Sequence, residues 1–113
     1  MPNFPLSSFR QAGNTFYISG QIGQKEGKLV SEDIKEQTKR AIENIAAILE
    51  QNGLSLADIV DMTAFIVDQA DYDAFNEAYR ESLQDPFPAR TTVTVKSLPL
   101  NAKVELKAIA IKQ

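Results

Sequence analysis

The sequence contains no cysteine and no histidine. Without cysteine there are no disulfides, no thiolate nucleophile and no cysteine–metal site. Without histidine the usual neutral-pH base and the commonest zinc ligand are missing. No apolar run approaches the ~20 residues a bilayer span needs. The amino end lacks a charged-then-apolar leader pattern, so the chain is expected to be cytoplasmic and away from membranes. Glycine and proline are sparse, five of each. What remains is an ordinary globular composition, 43% hydrophobic and 24% charged over 113 residues, with room for one domain, 1–113, rather than two. A chain of this mass buries about two-thirds of its unfolded surface, enough for a core without staples.

The net charge of −3 argues weakly against nucleic-acid binding. Its distribution is uneven. Residues 1–89 hold seven basic and fourteen acidic groups, whereas 90–113 hold Arg90, Lys96, Lys103, Lys107 and Lys112 against Glu105 alone. Either an anionic small molecule is attracted to the last strands, or this segment balances acidic helices in the same fold.

After an irregular lead-in containing Pro2 and Pro5, Phe9–Ala12 and Thr15–Ser19 read as strands about the Gly13-Asn14 turn. Gly20, Gly23 and Gly27 punctuate a loop. Ser31–Asn52 is a helix: Ser31 can cap it, Ile34, Thr38, Ala41, Ile42, Ile45 and Leu49 recur at helical spacing, and Gly53 stops it. Val60–Val67 is a strand apolar on both faces, with Val60, Met62, Ala64 and Ile66 on one. Asp71 can cap a second helix to about Leu83, and Pro86 and Pro88 end it. Thr91–Ser97 and Val104–Ile111 are the last strands. The order β-β-α-β-α-β-β predicts an α+β fold, a mixed sheet with two helices on one face. Strands apolar toward both faces then need a second cover, which in so short a chain implies a homo-oligomer.

Arg90 is stiffly held after Pro88-Ala89 and offers a planar fork of donors matched to a carboxylate. Thr92 shares its strand face. The alternative is a surface arginine paired with Asp85 or Glu81. Glu105 either orients or deprotonates a water or is a solvated, salt-bridging position. If the last two strands form a hairpin about Pro99, Glu105 lies ~16 Å from Arg90. The two then share a site only through different pairing or different subunits. Ser19 and Gly20 could present a hydroxyl and a close backbone N–H to a ligand, or form a plain turn. Asn76 is either a site residue or an exposed polar one. Asp71, Asp73 and Glu77 read as helix-start acids rather than a metal cluster.

On Tyr17-Ile-Ser-Gly-Gln21, Phe87-Pro-Ala-Arg-Thr-Thr-Val93, Leu98-Pro99 and Val104-Glu-Leu-Lys-Ala-Ile-Ala110, with Asn44 to Val60 in support, the chain resembles the RidA/YjgF family end to end. The resemblance implies a chorismate-mutase-like homotrimer with its sheets facing inward and ligand clefts between subunits. It implies hydrolysis of 2-imino acids and their enamine tautomers to 2-keto acids and ammonia, with no cofactor or metal. Arg90 matches the carboxylate-binding arginine and Glu105 the water-positioning glutamate. Ser19, Gly20, Asn76 and Thr92 fall where the pocket is lined or shaped. The expected partners are a small 2-imino or 2-keto acid and two further copies of the chain, with no nucleic acid and no membrane. Three positions depart from the pattern: Leu6 replaces an aromatic, Thr92 a common cysteine, and the Ile22–Gly27 loop is short. A non-catalytic trimer that holds a small carboxylate or a protein partner is the rival reading.

Overall fold

The structure, a computed structural model, describes residues 4–113; Pro2 lies outside them. A tight turn at Gly13, whose φ of 60° suits glycine, joins β1 (Phe9–Ala12) to β2 (Thr15–Ile22). The expected glycine loop is instead a small hairpin of β3 (Gln24–Lys25) and β4 (Lys28–Leu29). Helix α1 (Ile34–Gln51) follows, then β5 (Ile59–Ile66), α2 (Tyr72–Ser82), β6 (Ala89–Thr94) and β7 (Val104–Ile111). The main sheet runs β1-β2-β7-β5-β6, and only β5 and β6 are parallel. The last two strands are therefore not a hairpin, because β5 lies between them.

The helical stripe of α1 is buried as its spacing predicts: Ile34, Ala41, Ile42, Ile45 and Leu49 pack toward β2 and β7. Its start differs. Asp33 is the cap, accepting the Glu36 N–H at 3.0 Å, while Ser31 accepts the Asp33 N–H at 2.9 Å. Gly53, at φ 76°, closes the far end. Asp71 precedes α2, but its side chain accepts no capping bond; Asp68 accepts from the Ala70 N–H instead, at 2.9 Å.

Two strand irregularities change which way side chains point. Ser19-Gly20 does not end β2; the register with β7 slips between Ile18 and Gln21, a bulge inside a continuing strand. A second slip, between Ile59 and Asp61, turns Val60 out to 43% exposure and buries Ile59. Beyond these bulges the alternation is regular. Phe16, Ile18, Met62, Ala64, Ile66 and the even-numbered residues of β7 from Val104 to Ala110 face the helices. The opposite face carries Tyr17, Phe65, Val93, Ile109 and Ile111, exposed or half-buried.

Gln37 is a buried polar residue that the helical spacing alone does not single out. Its Nε2 donates to Ser31 O at 2.9 Å, and its Oε1 accepts the Lys103 N–H at 2.8 Å, tying α1 to the start of β7. Gly23 lies against it so closely that a Cβ there would stand 2.5 Å from the Gln37 Cα.

Candidate active site

Arg90 sits on β6, the rim strand, opposite Met62, and so points to the helix side of the sheet. There α2 presents three rings to it. The guanidinium carbon is 4.8 Å from the centre of Tyr79, 5.1 Å from Phe75 and 5.9 Å from Tyr72. These are cation–π distances. Nη2 also donates to the Tyr72 hydroxyl at 3.3 Å. Neither Asp85 nor Glu81 pairs with it: among the described residues the ion pairs are Lys35–Glu77, Lys39–Glu81 and Arg40–Glu43. A half-buried guanidinium with aromatic walls and no counter-ion among the described residues has the chemistry to seat an anion.

Around that seat two hydroxyls are buried without hydrogen-bond partners, Thr92 Oγ1 and Tyr79 Oη. An unpaired buried hydroxyl costs about 1–3 kcal/mol. Burial pushes the Tyr79 phenol up to about 12, against the opposing pull of Arg90 and with a small addition from Asp61. Asn76, half-buried rather than fully exposed, lies four residues after Tyr72 and therefore on the same side of α2.

Glu105 is elsewhere. It pairs with Phe65 on β5, three residues along from the Met62–Arg90 pair, and points to the sheet face away from the helices. Two strand spacings and three residues put its Cα roughly 14 Å from that of Arg90. Burial raises its carboxyl above the ordinary range, with no basic partner to draw it down. The β2 bulge brings Gly20 directly over it: a Cβ on Gly20 would overlap the carboxylate, 2.9 Å from Cδ. Ser19 is next to this pair. Its hydroxyl donates to Ser7 O at 2.5 Å and its N–H to Ser8 O at 3.0 Å, so it fastens the lead-in to the bulge and keeps only acceptor capacity free. Leu6, Tyr17, Arg10, Ser19 and Lys107 line a depression of about 350 Å³ here.

The structure thus gathers Arg90, Thr92 and Asn76 at one rim and Ser19, Gly20 and Glu105 at another. The aromatic seat was not legible in the chain. Nothing local in the sequence says that α2 turns Tyr72, Phe75 and Tyr79 toward β6. Among the described residues no group of acidic side chains is arranged to hold a metal ion. No helix is long and apolar enough to cross a membrane.

A mixed sheet with both helices on one face, entered by a hairpin and crossed by a parallel βαβ unit, is the chorismate-mutase-like α+β class. The family model described as Endoribonuclease L-PSP matches residues 2–112. The 2-iminobutanoate/2-iminopropanoate deaminase of Dermatophagoides farinae is 39% identical over 97% of this chain and 88% of its own length. RidA from an Antarctic Psychrobacter superposes with a TM-score of 0.92 at 36% identity, covering 99% of this chain and 92% of that one. TdcF of E. coli, solved with bound serine, superposes with a TM-score of 0.90 at 32% identity, covering 99% and 91%. The chain belongs to the RidA/YjgF family.

Proposed function

We propose that this protein hydrolyses 2-imino acids, 2-iminopropanoate and 2-iminobutyrate among them, to 2-keto acids and ammonia. The single observation that carries the reading is Arg90, a half-buried guanidinium on three aromatic rings with no carboxylate to neutralise it. In this reading residues 1–113 form one RidA-like domain, and three copies assemble in the cytoplasm with the exposed apolar sheet faces inward. Each cleft then combines the Arg90 rim of one protomer with the Glu105 rim of its neighbour. That removes the separation of the two groups within one chain and covers Tyr17, Val93 and Ile111, which are 45%, 40% and 36% exposed.

The chemistry suits this inventory. A protonated imine is already electrophilic, so the protein has to hold the carboxylate, place a water and exclude competitors. Arg90 takes the substrate carboxylate in a bidentate pair, and Thr92 and Asn76 line the same seat. Glu105, its carboxyl raised by burial, is a better base than an exposed carboxylate. It accepts a proton as water attacks the imine carbon, giving a neutral carbinolamine, and returns that proton to nitrogen. As the C–N bond breaks and ammonia leaves, the same carboxylate takes the hydroxyl proton, so that the keto acid forms, and then gives that proton up to the departing ammonia or to water. Gly20 leaves the space in which the carboxylate lies.

The test is ammonia release from 2-iminopropanoate generated in situ by a pyridoxal-phosphate-dependent dehydratase acting on serine. Arg90→Ala is expected to lose at least about a hundredfold in rate, because it removes one partner of a desolvated ion pair, and to keep its fold and assembly. Unchanged release from a folded assembly refutes the assignment. The rival, a carboxylate-holding module without turnover, is favoured by Leu6, which lines the depression beside Ser19 with no hydroxyl to offer. It predicts 2-ketobutyrate binding without ammonia release.

A further inference from the structure

Tyr72 has no part in the reaction just described, yet the geometry gives it one, resting on the reading of Arg90 as the carboxylate seat. Its hydroxyl oxygen accepts from Arg90 Nη2 at 3.3 Å, and this is its one hydrogen bond among the described residues. A phenol that accepts still has its own proton to give. The guanidinium beside it has no carboxylate partner. Two adjacent donors, one charged and one neutral, therefore share a seat in which no carboxylate among the described residues accepts from the guanidinium and nothing accepts the phenol's own proton.

We propose that Tyr72 is a carboxylate-binding residue: Arg90 Nη2 orients the phenol oxygen, and the phenol donates its proton to an oxygen of the same ligand carboxylate that Arg90 holds. An O–H donor to an anionic oxygen forms a short, charge-assisted bond, roughly twice as strong as a neutral one. Phe75 and Tyr79 cannot replace it in this: the first has no hydroxyl, and the second has its hydroxyl fully buried. The consequence is selectivity. A ligand whose carboxylate is masked as an ester keeps the rings and the shape but loses the anionic oxygen on which both donors converge.

The experiment measures dissociation constants of 2-ketobutyrate and of its methyl ester for the full chain, for Tyr72→Phe and for Arg90→Lys, with the assembly state checked by light scattering. Tyr72→Phe keeps the ring and removes only the donor. It is expected to weaken 2-ketobutyrate about tenfold, in line with a hydrogen bond to a charged group, while the ester changes less than about twofold by the same reasoning. In ammonia release, KM rises in step and kcat stays. Unchanged affinity for the acid, or equal loss for acid and ester, overturns the proposal. If Arg90→Lys abolishes binding while Tyr72→Phe is neutral, the Arg90 seat stands and only the role of Tyr72 falls. If Arg90→Lys binds like the parent, the seat falls and Tyr72 with it. A structure with 2-ketobutyrate gives the independent check: the Tyr72 hydroxyl belongs within hydrogen-bonding distance of a carboxylate oxygen, and a gap beyond about 3.5 Å overturns the inference.

Discussion

Gly20→Ala separates a placed carboxylate from a merely nearby one. The added Cβ would overlap the Glu105 carboxylate and stand 2.9 Å from its Cδ, where ordinary contact begins at 3.4 Å. The Cδ must therefore retreat by about 0.5 Å and the carboxylate oxygen by more. Gly20 does not adopt a positive φ, so alanine there brings no backbone strain. The obstacle is the far end of a flexible side chain, so the carboxylate can swing aside and the fold survives at a cost of about 1 kcal/mol. Catalysis is less forgiving. Displacing a reacting group by about 1 Å costs on the order of a hundredfold. The expected outcome is a thermal midpoint within a few degrees of the parent, unchanged 2-ketobutyrate affinity, and ammonia release down about a hundredfold by that same displacement argument. Parent-like turnover in a folded assembly would show that the position of Glu105 is not what the reaction needs. Complete loss of folding would show that Gly20 serves the sheet instead.

Gly23→Ala is the contrast: its Cβ would meet the Gln37 backbone at 2.5 Å from Cα and 2.6 Å from O, which cannot swing away. Its denaturant midpoint is expected to fall by the equivalent of about 3 kcal/mol, the upper range of overpacking, and a loss below about 1 kcal/mol would mean the hairpin gives way freely. Glu105→Gln is expected to keep 2-ketobutyrate affinity and lose turnover. Because burial raises the Glu105 carboxyl above its ordinary 4.5, ionising it costs the folded state. Parent stability is lost as pH rises from the ordinary value through the raised one, so Glu105→Gln gains relative stability at neutral pH and none below pH 4.5. A thermal-melt series with no such crossover contradicts the buried carboxylate. Tyr79, raised from 10.0 to about 12, holds its proton in the fold where the unfolded chain releases it. Stability therefore falls between pH 10 and about 12. Tyr79→Phe is expected to flatten that alkaline loss in urea titrations, and an equally steep loss argues against its burial.

Much of the fold is legible in the chain because periodicity survives tertiary context. The α1 stripe appears as its spacing predicts, and so does the β-β-α-β-α-β-β order of the main sheet and its helices, to which the structure adds only the β3–β4 hairpin. What fails is local geometry that no periodicity encodes. Val60 is apolar and in phase with Met62, yet the bulge at its position turns it outward. Ser31 and Asp33 are both good caps, and the choice between them depends on where the β4 exit delivers the chain. The separate strands of Arg90 and Glu105 follow from β5 inserting between β6 and β7, a pairing decided by long-range packing. Arg90 and Glu105 could be singled out by residue type; the rings around one and the glycine over the other could not.

The Glu105 carboxylate owes its location to the ladder between β2 and β7, where Gln21 faces Leu106 and Ile22 faces Glu105. Among the described residues no counter-ion fixes it. Added salt therefore leaves the acid where the backbone puts it while screening the Arg90 guanidinium. If the proposed reaction holds, ionic strength becomes a tool that dials substrate uptake and leaves the bond-breaking step alone.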